Sequence, residues 1–197
     1  MQIILASQSP RRRELLERMG ISEFDIIPAV GEERADPALT PAQLVEELSR
    51  QKAAEIAAAH PDALIIAADT VVSVDGLVLG KPHSREEAAR MLSTLSGREH
   101  TVFSGITVSW NGRIVTTHES TAVRFRPLTA QDIANYISTG EPMDKAGSYG
   151  IQGYGCTLVA GISGDYYNVV GLPVCRLTQI LAEFGLDPLA MTAKKEL

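Results

Sequence analysis

Residues 63–79 have the sequence ALIIAADTVVSVDGLVL, and this stretch decides the fold. The apolar and β-branched side chains of residues 63–74 predict a buried strand. Asp75-Gly76 is a two-residue turn that returns the chain into a short second strand, so the stretch predicts a β-hairpin. Asp69 interrupts the apolar run, and burial of an unpaired carboxylate is very costly. We therefore expect Asp69 to meet a cation, a metal ion or several hydrogen-bond donors.

Two interpretations of Asp69 are open. It could form a structural ion pair, or it could be a metal ligand or general base, since a carboxylate at a strand end beside a phosphate site often has such a role. Gly80-Lys81-Pro82 follows the hairpin, and the tight turn brings Lys81 back toward the Asp69 end of the sheet. We expect Lys81 to supply a cation there.

Helices and further strands surround this hairpin. Capping boxes at 40–43 and 84–87, the Asn111-Gly112 turn and hydrophobic periodicity predict the other elements. They are strands at 3–6, 101–110, 114–125 and 157–160, and helices at 10–19, 40–59, 84–95, 129–138 and 173–184. The residues after the last helix are expected to fray. Hairpins mixed with helices favour an α/β or α+β architecture with a mixed sheet, and we take α/β as the prediction.

Composition limits the classes of function. The 197 residues fit one domain or two closely joined lobes. A formal net charge of -6 argues against long-range attraction of nucleic acid. No apolar run approaches ~20 residues, which argues against a membrane partner, and the first residues lack the features of a signal peptide. Cys156 and Cys175 form no CxxC motif. We expect a cytoplasmic enzyme.

The segment from Ser7 to Arg13, with the sequence SQSPRRR, places three arginines in the first turn of a helix. The helix macrodipole favours acidic residues there, on a scale of ~0.3–1 kcal/mol each. One interpretation is a solvated basic face with Glu14 and Glu17 as partners. The other is an anion site in which free amides, the Ser7 and Ser9 hydroxyls and the arginines converge on phosphate. We favour the phosphate site.

Lys52 interrupts an apolar stripe formed by Leu44, Leu48 and Ile56. It either extends along the helix to the surface or points its ammonium into a cleft. The loop at 140–155 is too long and glycine-rich for a simple connection, and we expect it to form an ordered wall of a site. A phosphate site, several cations and carboxylates able to hold Mg²⁺ together suit hydrolysis of a phosphoanhydride.

The chain contains, in this order, the motifs LASQSPRR at 5–12, Glu32-Glu33, QKA at 51–53, ADT at 68–70, GKP at 80–82, LSG at 95–97, EPMDKAG at 141–147, YGIQG at 149–153 and GDYYNVVGLP at 164–173. In these motifs the chain resembles the Maf family of nucleoside triphosphate pyrophosphatases. The resemblance implies one Maf-like domain over residues 1–197, with two lobes and the active site in the cleft between them. It also implies a central mixed sheet flanked by helices, similar to inosine triphosphate pyrophosphatases.

The resemblance further implies hydrolysis of a nucleoside triphosphate to the monophosphate and pyrophosphate, by a nucleoside triphosphate diphosphatase that uses Mg²⁺ or Mn²⁺. Asp69 would be the proton acceptor and, with Glu33, would hold the metal. Whether Glu32 or Glu33 has that role is open. The residues implied as phosphate contacts are Ser7, Arg11, Lys52 and Lys81, with Lys52 and Lys81 also supporting the chemistry.

Three positions bear on substrate choice. Arg12, Thr70 and Gln152 resemble the subgroup that acts on dTTP and UTP, whereas a sister subgroup acting on 7-methyl-GTP typically has Trp and Glu at the positions of Arg12 and Gln152. A glutamine amide complements the N3–H and carbonyls of uracil and thymine. We expect a dTTP/UTP pyrophosphatase, extending to modified pyrimidine nucleotides, that cleans the nucleotide pool. The alternatives are a 7-methyl-GTP or purine (ITP/XTP) pyrophosphatase, or a nucleotide-binding regulator of cell division. Association as a homodimer is open.

Overall fold

The computed structural model describes residues 1–193, with side chains to residue 191. In this part of the chain one seven-stranded sheet contains β1 (Ile3–Leu5), β2 (Asp25–Ile26), β3 (Leu64–Val74), β4 (Leu77–Leu79), β5 (Glu99–Trp110), β6 (Arg113–Phe125) and β7 (Val159–Ser163). The α-helices are α1 (Pro10–Arg18), α2 (Pro41–Ala59), α3 (Arg85–Leu95), α4 (Ala130–Ser138), α5 (Tyr166–Val170), α6 (Val174–Glu183) and α7 (Pro188–Ala193). Short 3₁₀ helices lie between α4 and β7.

Strand order and direction make the sheet mixed. The main path is β2-β1-β3-β5-β6-β7, and β4 pairs with the far end of β3. β1 is parallel to β2 and β3, whereas the pairings of β3, β5, β6 and β7 along the rest of the path are antiparallel. This arrangement, with helices packed on the sheet, confirms the predicted α/β class.

Both predicted hairpins are present. Asn111 and Gly112, which connect β5 to β6, have φ of 49° and 76°. Asp75 and Gly76, which connect β3 to β4, have φ of 50° and 79°. Positive φ at both central residues is the geometry that matches the twist of paired strands and that Asn-Gly and Asp-Gly accept readily. The second hairpin positions Gly80-Lys81 beside β3.

The core lies on both faces of the sheet. Ile65 and Ile66 of β3 are both fully buried and point to opposite faces, because side chains alternate along a strand. Ile65 belongs to an apolar cluster with Ile56 of α2, and Ile66 belongs to a cluster with Leu16 of α1 and Leu177 of α6. The helices are therefore fixed to the sheet that carries Asp69.

Helix α2 lies directly against β5. A Cβ at Gly105 would be 2.1 Å from the carbonyl oxygen of Val45, so only glycine permits this approach. The capping box predicted at Thr40 and Gln43 starts this helix, and both of its reciprocal hydrogen bonds are formed. The close packing brings Lys52 over β3.

Some elements differ from the sequence prediction. The strand expected at 157–160 is displaced, since a 3₁₀ helix at Tyr154–Thr157 precedes β7. Three elements were missed (β2, α5 and α7), because each is too short to show periodicity; α7 lies where fraying was expected, and residues 194–197 are outside the described part. At 84–87 only half of the capping box forms: Ser84 accepts from the Glu87 amide, but the Glu87 carboxylate accepts from the His83 amide at 2.7 Å.

Within residues 1–193, no helix has both the length and the apolar character needed to cross a membrane.

Candidate functional site

A cavity of about 990 Å³ opens between the β1–α1 turn, α2, β3 and the loop after α4. It lies at the upper end of the size range of small-molecule sites. Its wall includes all nine side chains singled out from the sequence: Ser7, Arg11, Arg12, Glu33, Lys52, Asp69, Thr70, Lys81 and Gln152. Among described residues, Glu32 is not part of that wall; it pairs with Arg34 at 2.8 Å on the surface. Of the adjacent pair, Glu33 is therefore the carboxylate at the cavity.

The turn from β1 into α1 presents the positive end of a helix to the cavity. Ser9 caps α1, and its own amide donates to the Ser7 hydroxyl at 3.2 Å. Pro10 occupies the first turn, and no acidic residue does. Free amides and an uncompensated dipole make such a helix start favourable for an anion.

Arg12 is held by four hydrogen bonds. Its Nε donates to the Gly171 carbonyl at 2.8 Å, Nη1 to the Ala68 carbonyl at 2.8 Å and to the Ser7 hydroxyl at 3.1 Å, and Nη2 to the Thr70 hydroxyl at 3.1 Å. A guanidinium has five N–H groups, so one remains for a ligand. Burial lowers the pKa of Arg12, an effect that Asp69 opposes. Arg12 thus joins α1, β3 and the residue after α5.

Lys52 points into the cleft rather than to the surface. Its Nζ lies 2.5 Å from Asp69 Oδ1 and 2.9 Å from Glu33 Oε1. The Lys52 and Asp69 side chains are 17% and 13% exposed, whereas Glu33 is 53% exposed. The expectation that Asp69 meets a cation is confirmed, and the ammonium links a shielded carboxylate to one at the cavity mouth.

A second ionic group crosses the cavity from α1 to the loop after α4. Asp144 accepts from Arg11 Nη1 at 3.3 Å and from Lys145 Nζ at 2.6 Å, and Lys145 also donates to the Glu141 carbonyl at 2.7 Å. Burial raises the pKa of Asp144, but the Lys145 and Arg11 contacts outweigh it and leave the pKa below its usual value. The sequence did not single out Asp144 or Lys145, although the EPMDKAG motif contains both.

Lys81 and Gln152 are exposed on the cavity wall. Neither side chain has a hydrogen-bond or ion-pair partner within the described residues, so both are available to a ligand. The backbone beside Lys81 is nevertheless fixed, because the Gly80 carbonyl accepts from the Gly147 amide at 3.0 Å.

The loop at 140–155 is an ordered wall, as predicted. The Glu141 carboxylate accepts from the Tyr154 amide at 2.7 Å, the Tyr136 hydroxyl at 2.9 Å and the Gly155 amide at 3.0 Å. The Gly150 amide donates to the Tyr136 hydroxyl at 3.1 Å. Gln152 therefore lies between two anchored points of the loop. Sequence reasoning missed the role of Glu141, whose only signal was an acidic residue at the start of a glycine-rich loop.

The carboxylates on the cavity wall suit a divalent cation that prefers oxygen ligands. Mg²⁺ is usually held by one or two carboxylates together with substrate phosphates and water, and Asp69 and Glu33 provide two carboxylates on the cavity wall. Among residues 1–193, no cluster of three or more His, Cys, Asp or Glu side chains is arranged to hold a metal ion. The residues thus suit a Mg²⁺ or Mn²⁺ ion that is completed by a phosphorylated ligand, and not a closed protein cage.

Cations outnumber carboxylates on the described wall of the cavity. Five side chains are cationic (Arg11, Arg12, Lys52, Lys81 and Lys145) and three are carboxylates (Glu33, Asp69 and Asp144). The whole chain has a net charge of -6, so this positive excess is local. It suits a small polyanion such as a triphosphate.

Known proteins resemble this chain over nearly its whole length. A family described as "Maf-like protein" matches residues 2–184. Proteins named dTTP/UTP pyrophosphatase are 52% identical in Symbiobacterium thermophilum (93% of this chain, 94% of the relative), 53% in Moorella thermoacetica (94% and 96%) and 50% in Bacillus pumilus (95% and 98%).

A solved structure of a nucleoside-triphosphatase / dITP/XTP pyrophosphatase from Mycobacterium abscessus matches with a TM-score of 0.49 at 16% identity, over 93% of this chain and 98% of that one. This likeness is too remote to carry a functional conclusion. The family match covers more than nine tenths of the chain, and relatives over the same extent are about half identical. The chain therefore belongs to the Maf-like protein family.

Proposed function

We propose that this protein is a nucleoside triphosphate pyrophosphatase that hydrolyses dTTP and UTP to the nucleoside monophosphate and pyrophosphate. The observation that carries the proposal is the Lys52 ammonium held between Asp69 and Glu33 on the wall of a cationic cavity. Relatives about half identical to the chain are named for the same activity. We further propose that residues 1–197 form one domain with two lobes, and that the protein cleans the cytoplasmic nucleotide pool.

In the proposed reaction, water attacks the α-phosphorus and the bond between the α-phosphorus and the bridging oxygen breaks. Asp69 accepts the proton of the attacking water, and Lys52 keeps that carboxylate oriented toward the cavity. The leaving pyrophosphate takes the bond electrons, and the charge that grows on it is offset by Arg11 and Lys81. Asp69 and Glu33 would hold a divalent cation, which would supply further charge neutralisation when bound.

The remaining contacts position the substrate. The Ser7 hydroxyl and the first turn of α1 suit phosphate oxygens. Arg12, Thr70 and Gln152 face the base and sugar. Gln152 can both donate to and accept from a uracil or thymine edge.

A panel of dTTP, UTP, CTP, ITP, XTP and 7-methyl-GTP, each with Mg²⁺ or Mn²⁺ and with both phosphate products measured, tests the proposal. We expect the highest kcat/KM with dTTP and UTP, stoichiometric pyrophosphate, and loss of activity on chelation that either metal restores. A preference for ITP or XTP would contradict the substrate assignment. Release of orthophosphate in place of pyrophosphate would contradict cleavage at the α-phosphorus.

Asp69→Asn tests the mechanism. The amide cannot accept the proton, so we expect kcat to fall by ~10²–10⁴-fold, the usual contribution of a general base. Asp62→Asn is the matched control, since Asp62 is exposed just before the start of β3. If Asp69→Asn binds nucleotide and hydrolyses it as fast as the original protein, the role assigned to Asp69 is wrong and a regulatory nucleotide-binding function gains support.

A further inference from the structure

A chain of hydroxyl groups runs from Arg12 through the sheet to α5. Arg12 Nη2 contacts the Thr70 hydroxyl at 3.1 Å, and the Thr70 and Ser104 hydroxyl oxygens are 2.8 Å apart. The Ser104 hydroxyl is in turn 3.0 Å from the Asn168 carbonyl oxygen. Ser104 and Asn168 are fully buried, and Thr70 lines the cavity. Ser104 thus connects a cavity side chain to a fixed point inside the protein.

The direction of each hydrogen in this chain follows from its two ends. A carbonyl oxygen only accepts, so the 3.0 Å contact with Asn168 requires the Ser104 hydrogen. The Ser104 oxygen can then only accept within the chain, so Thr70 donates to it. A guanidinium only donates, so Arg12 gives its hydrogen to the Thr70 oxygen. All three hydrogen bonds are therefore donated in the same direction, from Arg12 toward the Asn168 carbonyl.

The far end of the chain is held in place. The Asn168 carboxamide donates to the Val102 carbonyl at 2.9 Å and to the Thr121 hydroxyl at 3.0 Å. The Thr121 hydroxyl donates to the Asp165 carbonyl at 2.9 Å, at the start of α5. Because α5 is fixed to β5 and β6 in this way, the acceptor that takes the Ser104 hydrogen cannot turn away without breaking buried hydrogen bonds.

We propose that Ser104 is a positioning residue that makes Thr70 a hydrogen-bond acceptor only, and so makes the site select pyrimidine bases that carry an N3–H. The only hydrogen of the Thr70 hydroxyl is used toward Ser104, which leaves a lone pair for a ligand. The inference rests on the proposed pyrimidine triphosphate pyrophosphatase function and deepens it.

Uracil and thymine differ from cytosine in whether N3 of the base donates or accepts the hydrogen bond with Thr70. Their N3 bears a hydrogen that Thr70 can accept, whereas N3 of cytosine is itself an acceptor. With the Thr70 hydrogen fixed inward, cytosine N3 would face an oxygen lone pair with no hydrogen between them. A polar group left unpaired in this way disfavours binding. Freeing the Thr70 hydrogen would remove the penalty against cytosine.

Ser104→Ala tests this inference with UTP and CTP as paired substrates. Without an acceptor at Ser104, the Thr70 hydroxyl can rotate and donate to the ligand. We expect the ratio of kcat/KM for UTP to that for CTP to fall about tenfold, mainly through a rise for CTP; tenfold corresponds to about 1.4 kcal/mol. Ser109→Ala is the matched control, since Ser109 is a buried serine on the same strand whose side chain has no described hydrogen bond, and the UTP/CTP ratio of this variant should stay the same.

Thr70→Val removes the hydroxyl with little change in shape and serves as the second variant. It should lower kcat/KM for UTP about tenfold and leave CTP no worse. Adding Ser104→Ala to Thr70→Val should change the ratio no further, because Ser104 acts through the Thr70 hydroxyl. If Ser104→Ala does not fold, as judged by circular dichroism and thermal denaturation, Thr70→Val alone still tests the acceptor role.

The outcomes separate the inference from the function on which it rests. If Ser104→Ala lowers both substrates in equal proportion, or if Thr70→Val harms CTP as much as UTP, Thr70 is not a fixed acceptor and the inference is wrong, while the proposed function stands. If the unmodified protein hydrolyses neither UTP nor dTTP, both fail.

Discussion

Glu141→Gln should loosen the loop that carries Gln152. The Glu141 carboxylate accepts from the Tyr136 hydroxyl and from the amides of Tyr154 and Gly155 at 2.7–3.0 Å. Glutamine keeps one acceptor oxygen and replaces the other by an NH₂ group. In the better orientation its oxygen stays with Tyr136 and Gly155, and its NH₂ then faces the Tyr154 amide, another donor.

The expected cost follows from those contacts. One hydrogen bond to a charged acceptor is lost, worth ~1.5–3 kcal/mol, and the other two lose their charge assistance. Tyr149 of the same loop is buried in the apolar cluster formed with α3 and α4. Loosening the loop therefore also weakens packing in this cluster. We expect the free energy of unfolding to fall by about 2–4 kcal/mol.

Urea unfolding and steady-state kinetics check this prediction. Besides the loss of stability, KM for UTP should rise about tenfold while kcat changes much less, because the loop positions Gln152 but holds none of the residues assigned to the chemistry. Glu99→Gln is the matched control; Glu99 is exposed with no described side-chain partner, and its substitution should stay within about 0.5 kcal/mol. A Glu141→Gln protein with unchanged KM and a stability loss below about 1 kcal/mol would refute the anchoring role.

Two further changes probe the fold. Gly105→Ala would place a Cβ 2.1 Å from the Val45 carbonyl oxygen and should cost about 3 kcal/mol in urea unfolding, whereas Gly80→Ala, whose Cβ would meet no atom within 4 Å, should be nearly neutral. Burial lowers the pKa of His100 from 6.5 to about 4, so the unfolded chain binds its proton more readily. The free energy of unfolding therefore includes about 3 kcal/mol that is fully present above pH 6.5 and is lost as the pH falls toward 4. In urea unfolding across this range, the free energy of unfolding of His100→Gln should lack this dependence on pH.

Local signals in the sequence predicted the frame of the molecule. The Asn111-Gly112 turn and the capping box at 40–43 gave correct elements, because both depend on residues close together in the chain. Asp69 was recognisable because a charge in a buried strand demands a partner. Lys52 was recognisable for the same physical reason, because its charge interrupts an apolar stripe. In the structure the Lys52 and Asp69 side chains form an ion pair with each other.

Contacts between distant segments could not be derived in this way. Glu141 is acidic, partly buried and held by a tyrosine and two amides, yet in the sequence it is only one charge in a glycine-rich loop. Ser104 and Asn168 are polar residues whose roles depend on how α5 packs against β5. The hydrogen bonds of Ser104 with the Asn168 carbonyl and of the Asn168 carboxamide with the Val102 carbonyl join residues 64 and 66 positions apart, so no local pattern reports them.

The three arginines at the start of α1 appear equivalent in the sequence but have separate roles in the structure. Arg13 pairs with Glu17 at 2.9 Å on the surface, which is the solvated interpretation, while Arg12 is held by four acceptors around the cavity. Arg11 makes a long contact with Asp144 at 3.3 Å, with that carboxylate 62% exposed. An exposed ion pair of this kind contributes only ~0–1 kcal/mol, so a triphosphate can displace Asp144 from Arg11 at small cost. To move toward the phosphates, Arg12 would have to break buried hydrogen bonds. We therefore infer that Arg11 moves to the phosphates while Arg12 stays in place to shape the site.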